Sequence, residues 1–211
     1  MHELSTLSKK LLTEIFSNSL LNIKNTIESI SQNVYLSDER MIKLCNLMKK
    51  GGLILESYGE LKLTLLGRTK INVVLTGGVF DIIHPGHVFT LSSAKGLGDI
   101  LVVVVARDST VVNSKGHKPL NNEIQRLELV RALKFVDAAL LGSEEGIFET
   151  LMKVMPNIVA LGYDQKHDES ELEREAKRRG LSIKFVRLGT RMASIKSSKI
   201  IEAKREFIND F

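Results

Sequence analysis

The spacing of apolar residues changes near residue 71 of this chain. Before that point apolar residues recur every three or four positions, which is typical of helices with one buried face. After it, short uninterrupted apolar runs alternate with amphipathic stretches. Such runs predict strands buried on both faces, and strands that alternate with helices predict a parallel sheet. We therefore expect two domains, residues 1–70 and residues 71–211.

Residues 1–70 are predicted to contain three helices followed by a short hairpin. Three stretches carry apolar stripes at helical spacing, namely Leu7, Leu11, Leu12, Ile15 and Phe16, then Leu21, Ile23, Ile27 and Ile30, and last Met41, Leu44, Cys45 and Met48. Ser37 is the expected N-cap of the third helix, because two acidic residues that suit a helix N-terminus follow it. Segments 53–57 and 60–64 alternate apolar and polar residues around a Tyr58-Gly59 turn, which predicts the hairpin.

This order of elements resembles a winged helix-turn-helix module, which is a small α+β fold. In that resemblance the third helix is the recognition helix, and it is lined by Arg40, Lys43, Asn46, Lys49 and Lys50. Residues 1–70 carry ten Lys or Arg against seven Asp or Glu, a surplus that suits nucleic acid. Asp38 and Glu39 are negatively charged and would repel the phosphates of DNA. The domain is therefore expected to bind DNA, to form a dimer contact or only to pack.

From residue 71 onward the pattern predicts an α/β fold with a Rossmann-like, doubly wound parallel sheet. The expected strands are residues 71–75, 100–105, 138–141, 158–161 and 183–186. Helices are expected up to Ala94 and at 121–135, 147–154, 169–179 and 197–207, with a polar loop at 113–118. In such folds ligands bind outside the carboxyl ends of the strands.

Residues that suit a phosphate follow the predicted strands. Gly77 and Gly78 end the first strand, and His84 and His87 stand at the N-terminus of the next helix, a geometry that binds anions. Later strands are followed by Arg107, Asp108 and Lys118, by residues 162–165 and by residues 191–198. We find no Ser or Cys paired with a His and a carboxylate as a nucleophile. This set favours phosphoryl or nucleotidyl transfer, in which a substrate phosphate is itself the nucleophile.

Three segments carry a resemblance to a known family. The segment GGVFDIIHPGH resembles the GTFD-x-x-H-x-G-H motif of the cytidylyltransferase-like nucleotidyltransferases, GHKPLNNEIQR resembles their segment after the second strand, and RMASIKSSKII is similar to their C-terminal motif. The match runs from Ile71 to Ile201. Within the family, LGYDQKHDESEL most resembles the archaeal FAD synthases. Two departures are Val79, where the family usually has Thr, and the absence of C-terminal cysteines that some of these enzymes carry.

The resemblance implies transfer of AMP from ATP to FMN with Mg²⁺, which gives FAD and pyrophosphate. It implies that His84, His87 and Lys118 are catalytic. No metal ligand is named, because the sequence does not show which residues hold the metal. The nucleotide-binding residues that it implies are Gly77, Gly78, Val79, Phe80, His84, His87, Arg126, Gly162, Asp164, Arg191, Ser197 and Ser198. Asp81 is expected to cap the entry of the helix instead of contacting a ligand. Enzymes of this kind are often homodimers, so a homodimer is expected.

Two other functions remain open at this stage. One is a CTP-dependent cytidylyltransferase that acts on a small phosphorylated alcohol such as glycerol 3-phosphate. The other is a DNA-binding regulator whose second domain senses a nucleotide. Base preference, the acceptor and the oligomeric state are not set by the sequence.

Composition indicates the cellular compartment of the protein more than its function. The single cysteine, Cys45, excludes an internal disulfide and a cysteine-based metal cluster. No stretch approaches the roughly 20 apolar residues of a membrane span, and the N-terminus lacks the basic-then-apolar order of a secretory signal. We expect a cytoplasmic protein that has no membrane partner.

Overall fold

The computed structural model describes residues 4–163 and 168–189 of the chain. The chain divides into two compact units, Met1–Asn72 and Val73–Phe211. Among the described residues, no helix is both long and apolar enough to cross a membrane. Each unit is described on its own below.

The first unit contains helices and one hairpin. Its elements are α1 (Thr6–Leu20), α2 (Ile27–Val34), α3 (Asp38–Lys50), β1 (Ile54–Ser57), β2 (Glu60–Leu63) and α4 (Leu65–Arg68). Side chains define where two of the helices begin: Ser5 Oγ accepts a hydrogen bond from Ser8 N before α1, and Thr26 and Ser29 form a capping box at α2. The buried apolar residues of this unit include Leu11, Leu12, Ile15, Ile30, Met41, Cys45, Met48 and Leu61.

The predicted second stripe is wrong in its first half. Leu21 and Ile23 lie in the turn between α1 and α2, and α2 begins only at Ile27. Asn22 has a φ of 58°, which turns the chain. The fully buried Asn25 holds the turn, because its Nδ2 donates to Ile15 O at 3.2 Å and to Ser19 Oγ at 3.0 Å.

The hairpin follows the prediction, but the helix after it was not predicted. Strands β1 and β2 pair antiparallel, and Tyr58 and Gly59 between them have φ of 51° and 72°, which the twist of a two-residue hairpin requires. Helix α4 begins after Thr64, whose Oγ1 accepts from Gly67 N at 2.9 Å. A Cβ on Gly67 would lie 2.0 Å from Leu53 O, so only glycine allows this close approach.

The predicted recognition face of α3 is only partly free. Arg40, Lys43, Asn46 and Lys50 are exposed. Lys43 Nζ lies 2.6 Å from Glu39 Oε1, and the half-buried Lys49 pairs with Glu56 at 2.8 Å. Ser37 occupies the N-cap but makes no capping bond with its side chain, while Asp38 Oδ1 accepts from Ser31 Oγ at 2.7 Å. DNA binding by this unit stays a prediction.

The single cysteine provides a probe of this unit's opening. Cys45 is fully buried on α3, and burial raises the pKa of its thiol, with a smaller opposing effect from Lys49 and a smaller raising effect from Glu56. Because the thiolate is the reactive form, a thiol reagent at pH 8 is expected to label the native chain on the order of 10³-fold more slowly than the urea-unfolded chain. Equal labelling rates, followed by absorbance, would show that the unit opens freely.

The second unit confirms the predicted doubly wound sheet. In its described residues, five strands run in the order β5-β4-β3-β6-β7, and all neighbouring pairs are parallel. The strands are β3 (Val73–Gly78), β4 (Ile100–Val105), β5 (Ala138–Leu141), β6 (Ile158–Leu161) and β7 (Lys184–Arg187). The first strand of this unit, β3, lies in the middle of the sheet. Strands β4 and β5 follow on one side of β3, and β6 and β7 lie on its other side. That reversal creates a switch point between β3 and β6.

The helices of the second unit correct two predictions. They are α5 (Pro85–Lys95), α6 (Asp108–Lys115), α7 (Glu123–Arg131), α8 (Ile147–Val154) and α9 (Glu169–Arg178). Helix α6 covers residues 113–115, the first half of the predicted polar loop at 113–118; it buries only Val111, so its sequence lacks an apolar stripe. Helix α7 ends at Arg131, four residues before the predicted end, and its Ile124 and Leu129 are 55% and 46% exposed. The predicted helix at 197–207 lies outside the described residues.

Strand pairing locates a crevice at the switch point. Strand β3 pairs with β4 along its whole length, from Val73 to Gly78, but with β6 only at Val74 and Leu75. One further bond crosses between β3 and β6, from the buried Thr76 Oγ1 to Ala160 O at 2.7 Å. Ladder pairing of β3 with β6 thus covers two residues, and Gly77 and Gly78 lie at the carboxyl end of β3, where such folds bind ligands.

Candidate active site

The glycine pair lies inside β3 and shapes the turn that follows it. Residues Gly77 and Gly78 are the last two of the strand, so the strand runs through the pair instead of ending before it. A Cβ on Gly78 would lie 2.9 Å from the Phe80 ring. Phe80 itself has a φ of 54° and is buried in the hydrophobic core. The absence of a Cβ at Gly78 therefore leaves room for the Phe80 ring. Val79 is the residue between the two.

The two histidines stand together at the start of α5. His84 is the N-cap, Pro85 is the first helical residue, and the backbone N–H of His87 donates to His84 O at 2.9 Å. The two imidazoles stack with 3.9 Å between ring centroids, and the Phe80 ring lies 5.2 Å from that of His87. A helix N-terminus carries partial positive charge and N–H groups without helical partners. The arrangement suits a phosphate.

Asp81 has a role that the sequence did not indicate, and the predicted helix cap is wrong. The residue is 7% exposed, and its carboxylate accepts hydrogen bonds from the backbone N–H groups of Leu120 and Asn121, both at 2.8 Å. The Asn121 side chain returns a bond to Asp81 O at 2.7 Å. Asp81 therefore fixes a loop about 40 residues away, and His84 takes the cap position.

Arg126 lies under the site and joins three of its segments. It is fully buried, and Nη1 donates to Val79 O at 2.6 Å, Nε to Asn121 O at 3.0 Å and Nη2 to Asp108 Oδ1 at 2.6 Å. All three nitrogens thus contact protein. The guanidinium ties the turn after β3, the loop before α7 and the start of α6 together. A direct contact with the nucleotide stays a prediction.

Arg107 extends this network to the next strand. Its Nε donates to Gly142 O at 3.0 Å, and its Nη1 pairs with Glu123 Oε1 at 2.9 Å. Glu123 Oε2 in turn accepts from Asp108 N at 2.8 Å. The carboxyl ends of β4 and β5 and the start of α7 are therefore held as one framework. Sequence reasoning missed Glu123 and Asn121 because nothing local distinguishes them from surface residues.

Lys118 lies in the loop between α6 and α7. The residue is exposed, and its ammonium makes no hydrogen bond or ion pair with any residue in the part of the chain that the structure describes. It lies two positions before Leu120, whose N–H is held by Asp81. The loop that carries Lys118 is therefore anchored to the turn that precedes the histidines.

The remaining predicted residues lie near the end of β6 or outside the described ranges. Gly162 follows β6, and its carbonyl accepts from Arg187 Nη1 at 3.1 Å. Arg187 Nε also pairs with Glu169 at 2.7 Å, so the arginine joins the two ends of the loop after β6. The predicted residues that lie outside the described ranges are Asp164, Arg191, Ser197 and Ser198.

Comparison with known families agrees with this geometry. The sequence profile of the family described as Cytidylyltransferase-like matches residues 75–203, which is more than half of the chain. The chain belongs to the cytidylyltransferase-like family of nucleotidyltransferases. The resemblance predicted from the three motifs is thereby confirmed, and the protein is a nucleotidyltransferase. Residues 1–74 lie outside the match, so the winged-helix interpretation of the first unit stays a prediction.

Individual relatives of this family are more specific. The FAD synthase of Aciduliprofundum boonei is 55% identical over 115 residues, which are 54% of this chain and 76% of the relative. The FAD synthase of Thermoplasma acidophilum is 47% identical over 131 residues, 62% of this chain and 92% of the relative. A crystal structure described as a lipopolysaccharide core biosynthesis protein from Thermoplasma volcanium superimposes with a TM-score of 0.56 at 48% identity, covering 57% of this chain and 98% of that one.

Proposed function

We propose that the protein transfers the adenylyl group of ATP to FMN, producing FAD and pyrophosphate. Its support in the structure is the stacked pair His84 and His87 at the N-terminus of α5, beside the crevice between β3 and β6. The substrate choice is supported by relatives that are FAD synthases and are about half identical to this chain over the nucleotidyltransferase region. The motif match alone would not decide between ATP and CTP or identify the acceptor.

The chemistry proposed for this site is one in-line displacement. An oxygen of the FMN phosphate forms a bond to the α-phosphorus of ATP, and the bond from that phosphorus to the oxygen bridging to the β-phosphate breaks. Pyrophosphate leaves with the electron pair of that bond. Negative charge therefore grows on the oxygens of the α-phosphate and of the leaving group, where His84, His87 and the N-terminus of α5 would stabilise it.

No general base is required for this reaction. A phosphate monoester has a second pKa of about 6, so FMN is already largely a dianion at neutral pH. The enzyme must then position two anions against each other and neutralise their repulsion. The exposed ammonium of Lys118 suits the β- and γ-phosphates, because it makes no hydrogen bond or ion pair with the described residues.

We propose that Mg²⁺ enters with ATP instead of occupying a protein cage. Among residues 4–163 and 168–189, no group of three or more His, Cys, Asp or Glu side chains is placed to hold a metal ion. Mg²⁺ commonly binds through substrate phosphates and retains several waters, so this donor set fits a metal carried by the nucleotide. The ion would supply charge neutralisation on the triphosphate.

The reaction is tested by direct product analysis. The full chain is incubated with MgCl₂ and four substrate pairs, ATP or CTP with FMN or glycerol 3-phosphate, and pyrophosphate and the nucleotide product are quantified by chromatography. We expect FAD and pyrophosphate in equal amounts from ATP with FMN. Turnover restricted to CTP with glycerol 3-phosphate would keep the family chemistry and overturn the substrates.

Absence of turnover with every pair would instead favour the nucleotide-sensing regulator. Gel-shift titration at several salt concentrations would then test DNA binding by the first unit, because binding through phosphate contacts weakens steeply with salt. Homodimer formation stays a prediction that sedimentation can measure.

A further inference from the structure

The loop between α6 and α7 carries Lys118 and begins without regular structure. Gly116, with a φ of 75°, ends α6, and α7 begins at Glu123. Before Leu120 the only side-chain bond that the structure shows in this loop is local, from His117 Nδ1 to Lys118 O at 2.9 Å. A loop held only in this way would sample many conformations, and the long lysine side chain would add its own freedom.

Longer-range hydrogen bonds fix the loop at Leu120 and Asn121. Asp81 Oδ2 accepts from Leu120 N and Asp81 Oδ1 accepts from Asn121 N, so both carboxylate oxygens are used. Asn121 Nδ2 donates to Asp81 O, and Asn121 O accepts from the buried Arg126. Bonds to an ionised acceptor are stronger than neutral ones, and burial of the carboxylate removes competition from water.

We infer that Asp81 is the positioning residue for Lys118. Asp81 lies three residues before His84, on the turn that leads into α5, so its carboxylate links the loop of Lys118 to the segment that carries the histidines. A cation that meets the β- and γ-phosphates must be held at a set distance from the groups that meet the α-phosphate. Misplacement by about 1 Å costs up to 10²-fold in rate. This inference rests on the proposed function.

A double-mutant cycle tests the inference. Asp81→Asn keeps the shape of the side chain but presents an NH₂ group to one of two N–H donors, so one bond is lost and replaced by repulsion. Lys118→Met removes the charge and keeps the length. Each single variant is expected to lower kcat/KM for ATP by about 10- to 100-fold. The double variant is expected to match Lys118→Met within about threefold, because a missing cation cannot be misplaced.

If the loss of kcat/KM in the double variant equals the product of the two single losses, the inference is overturned, since Asp81 would then act independently of Lys118. Unchanged activity of Lys118→Met would also overturn it, while FAD formation by the wild-type chain would still support the proposed reaction. Equilibrium binding of MgATP without FMN, measured on the same four proteins, gives the cycle a readout that does not depend on the acceptor. If the wild type makes no FAD, this binding cycle still decides the positioning inference.

Two further variants separate positioning from general destabilisation. Asp137 also accepts a hydrogen bond from a backbone N–H, that of Leu101, at 2.6 Å. It lies just before β5, at the amino ends of the strands, whereas the proposed site lies at their carboxyl ends. Asp137→Asn combined with Lys118→Met is expected to show independent effects. If Asp81→Asn fails to fold, Asn121→Ala removes only the 2.7 Å bond to Asp81 O and is expected to give a smaller loss with the same lack of additivity.

Discussion

Replacing His87 by alanine is expected to lower kcat/KM for ATP by about 10²- to 10³-fold, because removing one preorganised donor to a developing oxyanion has that cost in other enzymes. The stacked pair holds each ring against the other, with the Phe80 ring near His87. The imidazoles are therefore fixed before substrate arrives. The alanine variant keeps the helix, since α5 begins through backbone contacts at His84.

The measurement for this prediction is initial-rate pyrophosphate release at several ATP concentrations, together with the thermal unfolding midpoint. His117→Ala serves as the matched control, because His117 is an exposed histidine whose described contact is to a neighbouring carbonyl. The control is expected to stay within about threefold of the wild type, because exposed positions usually tolerate substitution. A His87→Ala enzyme with wild-type kcat/KM would remove His87 from the mechanism.

Replacing Arg126 by methionine is expected to lower the free energy of unfolding of the second unit by about 3–4 kcal/mol. The guanidinium is fully buried, so its loss leaves Val79 O and Asn121 O without their described donor. Asp108 is 38% exposed and recovers part of its solvation from water, so it adds less to the cost. The released loops also carry the proposed site, and we expect activity to fall at the same time.

Urea unfolding of the full chain measures the loss, with Arg131→Met on the same helix as control. Arg131 is 43% exposed and pairs with Glu128 one turn away, so its replacement is expected to cost at most about 1 kcal/mol. An equal small cost for both arginines would mean that the buried network around Arg126 does not hold the loops.

The parts of the fold that short-range patterns specify were predicted correctly. Uninterrupted apolar runs located β4, β5 and β6, because a strand buried on both faces needs them, and largely apolar segments located β3 and β7. The Tyr58-Gly59 pair located the hairpin, and the spacing of His84 and His87 placed both rings at one helix start. Each of these signals lies within a few consecutive residues.

The errors fall where a residue's environment comes from distant parts of the chain. Helix α6 lacks an apolar stripe because it buries only Val111, and α4 depends on a glycine that passes close to Leu53 O. Asp81 looked like a helix cap because its partners, Leu120 and Asn121, come 39 and 40 residues later. Burial of Arg126 was equally invisible, since a lone arginine in an amphipathic helix is usually solvated.

The sequence by itself determined the family, the parallel sheet and the histidine pair, because periodicity, glycine placement and motif spacing act over short stretches. Only the tertiary structure decided where the crevice opens and which polar groups hold its edges. The crevice depends on β6 returning beside β3 and pairing with it only at Val74 and Leu75. The polar framework depends on Asp81, Asp108 and Arg126, which lie far apart in the chain and meet only after the sheet has formed. Such contacts leave no local pattern, because their free energy comes from burial in the assembled fold.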